Sequence, residues 1–173
     1  MIDRPKAKIE PKAAIRDGRD SDSLQVIALI DAVFGEYPGC VLDVDLECPD
    51  LRAPARHFAE IGGRFWVAET DGVVATVSCA PLTDGSGLEL KRLYVDANLR
   101  RRGLGSALCG LVEAEARRRN MPVIELWTDT RFVDAHRLYE RLGYIRQAQT
   151  RDLHDLSNTT EYRYVKRLTP DES

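Results

Sequence analysis

The segment NLRRRGLGSALCG, residues 98–110, places three arginines before two glycines and then begins a run of small and apolar residues. It follows the strand-like segment LELKRLYV, residues 88–95, so the pattern predicts a strand, a glycine turn and a helix. The N–H groups at the start of such a helix lack intrahelical partners and lie at the positive end of the helix dipole. The turn is therefore predicted to bind an anion, and pyrophosphate fits it better than a lone carboxylate.

The residues of the turn leave two other interpretations open. One is a solvated arginine patch before a tightly packed helix, because short glycine patterns are common. The other is a Rossmann dinucleotide site, which fits poorly because the third glycine is missing and no repeated βαβ series follows. In the anion-site interpretation, Gly103 and Gly105 let phosphate oxygens approach the backbone, and Arg100, Arg101 and Arg102 add positive charge.

Outside the turn, helix-like and strand-like segments predict the order β-α-α-β-β-β-α-β-α-β-β, a single mixed α/β sheet. The first helix is expected to have an apolar stripe of Leu24, Ile27, Ile30 and Phe34, and Thr70-Asp71-Gly72 is typical of a hairpin. Residues 1–13 are predicted to be a flexible lead-in, residues 14–168 one domain, and residues 169–173 a tail.

Composition narrows the classes of function. The 173 residues carry a formal net charge of -3, and this balance argues against a general nucleic-acid binder. The four cysteines show no zinc-ligand spacing, so no metal site is predicted, and Cys79 and Cys109 lie among apolar neighbours and are expected to be buried. Since the sequence shows no signal peptide and no apolar run long enough to span a bilayer, we expect a cytoplasmic protein without a membrane partner.

Two motifs resemble one known family. Arg100-x-x-Gly103-x-Gly105 resembles the acetyl-coenzyme A signature of the GNAT N-acetyltransferase superfamily, and AHRLYERLGY, residues 135–144, is similar to a later helix of that family. The resemblance extends from about Ile15 to Leu168. It implies a GNAT-like fold with two splayed central parallel strands, and acetyl-CoA as co-substrate.

The resemblance also implies a set of cofactor contacts. The amides of the turn would bind pyrophosphate, and the end of the preceding strand would pair with the pantetheine arm. The residues implied are Leu93, Tyr94, Val95, Arg100, Arg101, Arg102, Gly103, Leu104, Gly105, Ser106, Thr130 and Ala135. The chain departs from the family at Phe132, where an asparagine is common, so that contact is expected to be absent or to come from Thr130 or Arg131.

The resemblance assigns Tyr139 as the acid that protonates the leaving thiolate, and the backbone N–H of Val95 as the group that polarises the carbonyl. The alternative for Tyr139 is a ring packed between helix and sheet. Glu89 is the candidate base, and its alternative is an exposed carboxylate beside Lys91. Direct transfer in a ternary complex is expected rather than a cysteine-linked intermediate, because no cysteine lies in an activating setting.

The acceptor is predicted to be a small-molecule or peptide amine. Asp43 and Asp45, in an acidic segment, and His154, in a late loop, are candidate substrate residues, and the acidic charge favours a cationic amine. A solvated acidic loop is the alternative, and His136 is expected to be partly exposed. The competing function is a catalytically idle acyl-CoA sensor or interaction domain, and the sequence leaves a homodimer open.

Overall fold

The structure, a computed structural model, describes residues 12–169. In this range the chain forms a seven-stranded mixed sheet and four α-helices in the predicted order. The strands are β1 (Ala14–Asp17), β2 (Arg64–Glu69), β3 (Val73–Pro81), β4 (Gly87–Val95), β5 (Val123–Asp129), β6 (Ile145–Asp152) and β7 (Thr160–Arg167). The helices are α1 (Ser23–Phe34), α2 (Pro54–Glu60), α3 (Leu104–Arg118) and α4 (Val133–Arg141). Most of the predicted lead-in and tail falls outside the described residues.

The sheet has the strand order β1-β2-β3-β4-β5-β7-β6, and its centre is a parallel pair that separates. Strands β4 and β5 pair only from Gly87 opposite Val123 to Leu90 opposite Leu126. Beyond these residues β4 stays with β3 and β5 stays with β7, so a gap opens between them. The predicted splayed pair is therefore confirmed, and the gap determines where a ligand can enter the sheet.

Helices cover both faces of the sheet, and adjacent residues of β2 point to opposite faces. Trp66 belongs to the core that includes Leu108 and Val112 of α3, whereas Val67 belongs to a second core with Ile30 of α1. The two sides of the sheet are thus packed by different helices. No helix in residues 12–169 is long and apolar enough to cross a membrane.

The predicted apolar stripe of α1 is wrong in part. The buried residues of this helix are Val26, Leu29, Ile30 and Val33, whereas Leu24 is 78% exposed. Apolar residues occupy so many positions between residues 24 and 34 that two helical stripes satisfy the same spacing. Packing against Val67 and Phe58 selects the stripe that contains Val26 and Ile30.

Candidate active site

A cavity of about 510 Å³ lies between the end of β4, the start of α3 and one face of α4. Nine of the predicted cofactor residues line it: Leu93, Tyr94, Val95, Arg100, Arg101, Gly103, Gly105, Ser106 and Ala135. The other three do not. Leu104 packs against the core, the Thr130 N–H donates to the Thr160 carbonyl at 3.0 Å, and Arg102 is exposed. We call this space the first cavity.

The turn before α3 leaves several backbone donors available. Arg101 and Gly103 both have positive φ, 61° and 83°, and the first helical bond runs from the Ala107 N–H to the Gly103 carbonyl at 2.9 Å. The N–H groups of residues 104–106 consequently have no acceptor within residues 12–169. These donors begin a fifteen-residue helix at the wall of the first cavity, which suits them to hold a phosphate group.

The two glycines of the turn have different physical roles. Gly103 has a left-handed backbone, but a Cβ atom there would meet no atom within 4 Å. A Cβ atom on Gly105 would lie 2.9 Å from Cδ2 of Leu138, so this glycine permits close packing of α3 against α4. The structure therefore gives helix packing, besides the predicted approach of phosphate, as a reason for glycine at 105.

The arginines around the first cavity are not equivalent. Arg100 donates to both carboxylate oxygens of Glu36, at 2.6 and 2.7 Å, and its Nε donates to the Val95 carbonyl at 3.0 Å. Its side chain thus ties the turn to the segment after α1. The side chain of Arg101, by contrast, is 83% exposed. Two further cations that line the cavity, Arg137 and Arg141 of α4, were not predicted from the sequence. Their four-residue spacing on one helical face could have revealed them.

The register of β4 leaves the backbone of Val95 facing the gap. The Asp96 N–H donates to the Val74 carbonyl of β3 at 2.9 Å, and Thr76 opposes Tyr94. Because bonded and non-bonded pairs alternate in an antiparallel ladder, the N–H of Val95 points away from β3. Strand β5 does not pair there, so this donor is directed into the opening between the two strands.

A second cavity of about 390 Å³ opens on the other side of the gap. It is lined by Glu89, by residues of β5 and β7, and by two loops, residues 40–48 and 153–159. Tyr94 and Phe132 line both cavities, so the two spaces adjoin at these rings. A reactant in each cavity could therefore meet its partner at the gap.

A bulge in β4 separates the residues that face the two cavities. Arg92 and Leu93 together oppose Val77 of β3, and Arg92 has a φ of 53°. Arg92 lines the second cavity and Leu93 the first. The guanidinium of Arg92 is bonded twice to Asp50, at 2.7 and 2.9 Å. No glycine or proline marks this position, so local turn signals could not have predicted the bulge.

Phe132, the departure from the family pattern, belongs to an aromatic cluster at the boundary of the cavities. Its ring centroid lies 4.8 Å from that of Tyr37 and 6.0 Å from that of Phe34. Thr130 and Arg131, the expected substitutes for the missing asparagine, do not line the first cavity. The side chain of Arg131 instead donates to Asp129 at 2.7 Å. Tyr37, which follows α1 and completes this cluster, was missed because it is distant in sequence from Phe132.

Tyr139 lies deep in the core, 4% exposed, and lines neither cavity. Its ring centroid is 5.9 Å from that of Tyr144 and 5.8 Å from that of Tyr164. Burial raises the pKa of Tyr139 well above its usual value, so the side chain remains a neutral phenol. The Tyr139 hydroxyl has no hydrogen-bond partner in the described part of the chain. The preceding residue on α4, Leu138, lines the first cavity.

The predicted substrate residues lie outside the lining of the second cavity. Asp43 accepts backbone N–H bonds from Asp45 and Leu46 at 3.0 and 2.9 Å, and Asp45 forms an ion pair with Arg52. His154 is exposed, although the residues on either side of it line the cavity. The acidic segment does border this space, as expected, but through Glu47 rather than through the two aspartates.

The prediction of a partly exposed His136 is wrong. The residue is 8% exposed, and its Nε2 donates to the Asp129 carbonyl at 2.9 Å. Burial lowers the pKa of His136, which keeps the ring neutral. Helical spacing placed it beside the expected apolar face, but the packing of Tyr164 against the ring, at 5.9 Å between centroids, turns it inward. The prediction for Cys79 and Cys109 is confirmed, since both are buried.

Two loops that are far apart in sequence are joined across the mouth of the second cavity. The Val41 N–H donates to Ser157 Oγ at 2.8 Å, and that hydroxyl donates to the Val41 carbonyl at 3.1 Å. The Leu156 N–H donates to Glu47 at 2.8 Å. Sequence analysis could not find these contacts because 109 to 116 positions separate the partners.

Comparison with known proteins gives a family and several relatives. The acetyltransferase (GNAT) family model matches residues 28–144. N-acetylaspartate synthetase of Danio rerio is 34% identical over 121 residues, which cover 69% of this chain and 42% of the relative. N-acetyltransferase 8 of Homo sapiens is 32% identical over 109 residues, which cover 60% of this chain and 48% of the relative. The chain thus matches less than half the length of these curated relatives.

Solved structures share the fold at low sequence identity. A GNAT-family acetyltransferase from Staphylococcus aureus Mu50 has a TM-score of 0.77 and 21% identity, and the match covers 91% of this chain and all of that one. A Salmonella typhimurium protein solved with its cofactor acetyl-CoA has a TM-score of 0.71 and 18% identity, covering 94% and 98%. Since the family model spans well over half of the residues, the chain belongs to the GNAT family of acetyltransferases.

Proposed function

We propose that this chain transfers an acetyl group from acetyl-CoA to the primary amine of a small molecule, by direct transfer within a ternary complex. The observation that carries the proposal is the pair of cavities adjoining at Tyr94 and Phe132, where β4 and β5 separate. One cavity has helix N–H donors for a phosphate that find no acceptor in residues 12–169, and the other has polar walls open to an amine.

Acetyl-CoA would supply the activated thioester carbonyl. The first cavity would hold its pyrophosphate at residues 104–106 and its pantetheine arm along Leu93 to Val95. The Val95 N–H, directed into the gap, is the donor we assign to the carbonyl oxygen as negative charge develops there. This donor belongs to the backbone, so side-chain substitution at 95 would leave it in place.

Tyr139 is proposed as the acid for the departing thiolate. Its buried hydroxyl keeps its proton, and α4 carries it next to residues that line the first cavity. The hydroxyl of the neighbouring Tyr144 is also buried without a partner in residues 12–169, but this residue follows the end of α4. A phenol in this environment can donate a proton but cannot act as a base near neutral pH.

Glu89 is proposed as the base that receives the amine proton, either directly or through water. The carboxylate lines the second cavity, and one of its oxygens accepts a hydrogen bond from Lys91 Nζ at 3.1 Å. Loss of the amine proton to solvent is the alternative that a pH–rate profile of Glu89→Gln would reveal.

The test is an assay of the full chain with acetyl-CoA and a panel of primary amines, following release of free coenzyme A thiol. We expect amine-dependent thiol release and calorimetric binding of acetyl-CoA. Tight acetyl-CoA binding with no turnover on any amine would contradict the proposal and support the idle acyl-CoA sensor. The relatives named N-acetylaspartate synthetase make amino acids a sensible part of the panel.

A further inference from the structure

Most of the charged side chains that line the second cavity already form an ion pair. Three lining carboxylates each already bond to a cationic side chain: Asp129, Glu161 and Glu89. An acceptor with several positive charges would have to compete with these existing pairs. The cavity is therefore less suited to a polycation than the number of its acids suggests.

Arg151 is the cation in this cavity whose two Nη groups are both unused within residues 12–169. It lies on β6, its guanidinium is 4.3 Å above the ring centroid of Trp127, and its Nε donates to Glu161 at 2.6 Å. Its two Nη groups have no hydrogen-bond partner within residues 12–169. An arginine that stays over an indole ring and has both Nη groups unpaired within residues 12–169 is well prepared to bind a carboxylate.

Two carboxylates of the same cavity have no cationic partner in the described part of the chain. Glu47 accepts the Leu156 N–H at 2.8 Å, and Asp155 accepts the Thr159 N–H at 2.8 Å. The cavity thus offers unused groups of both signs, the two Nη groups of Arg151 on one wall and carboxylates on the loops. Its volume of about 390 Å³ lies in the range of small-molecule sites.

We infer that the acceptor is a small zwitterionic amine, an amino acid, whose carboxylate binds to Arg151 on the ring of Trp127. This inference rests on the proposed acetyl transfer and names the acceptor class for it. The amine of such a molecule points toward the shared boundary at Tyr94 and Phe132, where the acetyl group arrives. A purely cationic amine lacks a group for Arg151 and is repelled by it.

The test compares L-alanine, L-serine and L-aspartate with the α-carboxamide of each, measuring kcat and KM by thiol release. The amides have less basic amines, so a preference for the acids cannot come from a larger neutral fraction. We expect kcat/KM to be at least tenfold higher for at least one acid than for its amide. Equal use of acids and amides would overturn the inference and leave acetyl transfer intact, whereas no turnover on any amine would overturn both.

Arg151→Gln should raise KM for the preferred acid about tenfold or more, with kcat and acetyl-CoA affinity little changed and with its amide unaffected. Arg151→Lys should restore part of the loss, since it keeps the charge but not the two-pronged geometry. Arg146→Gln is the matched control, because Arg146 also lies on β6 over an aromatic ring, that of Tyr162, but lines neither cavity. An unchanged KM in a folded Arg151→Gln variant, or an equal rise in both variants, overturns the inference.

Discussion

The first cavity is built mainly from two continuous stretches, residues 93–106 and helix α4, whereas segments from many parts of the chain build the second. The donors of the first are backbone N–H groups fixed by a turn and a strand register. The charged groups of the second are side chains that meet only when the sheet forms. The turn that begins α3 is thus encoded locally, while the second cavity depends on long-range contacts.

The largest expected effect is on the glycine turn. Gly105→Glu places bulk against Leu138 and negative charge at the free N–H groups, so calorimetric affinity for acetyl-CoA should fall at least 100-fold. Gly110→Glu is the control, because Gly110 lies on the same helix and a Cβ there meets nothing within 4 Å. Unchanged affinity in the Gly105 variant would remove the phosphate assignment and, with it, the contrast between the cavities.

Next in size is the loss of the Tyr139 hydroxyl. Tyr139→Phe keeps the ring and its packing, so kcat should fall by roughly 10²–10⁴, the range for a general acid, while acetyl-CoA affinity stays nearly constant. Tyr144→Phe is the matched control, since it removes a buried hydroxyl that has no partner in residues 12–169 and should leave kcat unchanged. Full activity in Tyr139→Phe would show that another group protonates the thiolate.

Helix α3, which begins at the glycine turn, should lose stabilisation in acid. Hydrogen bonds from Arg118 and Arg119, both at 2.6 Å, lower the pKa of Glu115 from 4.5 to about 2. A lowered pKa in the folded state means that this stabilisation is complete above pH 4.5 and is lost as the pH falls toward 2. The contribution is on the order of 2–3 kcal/mol, because the carboxylate is only 3% exposed.

Urea unfolding of the wild type and Glu115→Gln at pH 7, 4.5 and 3 measures this contribution. The difference in unfolding free energy between the two proteins should shrink as the pH falls through this range. A constant difference across the three values would mean that the ion pairs of Glu115 do not stabilise the charged carboxylate.

The smallest expected effect is in the acidic loop. The Asp43→Asn, Asp45→Asn double variant should change KM for the amine by less than about twofold, because both carboxylates are exposed or bonded within their own loop and lie outside the second cavity. The measurement is KM for the preferred amine in the double variant and in the wild type. A large rise in KM would support recognition of a cationic acceptor by the acidic loop and would argue against an acceptor carboxylate bound at Arg151.

The sequence alone determined the element order, the glycine turn before α3 and the family, because each depends on residues close together in the chain. Nine of the twelve predicted cofactor residues line the first cavity for the same reason. The predicted substrate residues do not line the second, since charge in a loop does not specify which side chains face inward. The bulge at Arg92, the inward turn of His136 and the position of Arg151 over Trp127 were decided by tertiary structure. Each depends on pairing or packing between distant segments, which local spacing does not record.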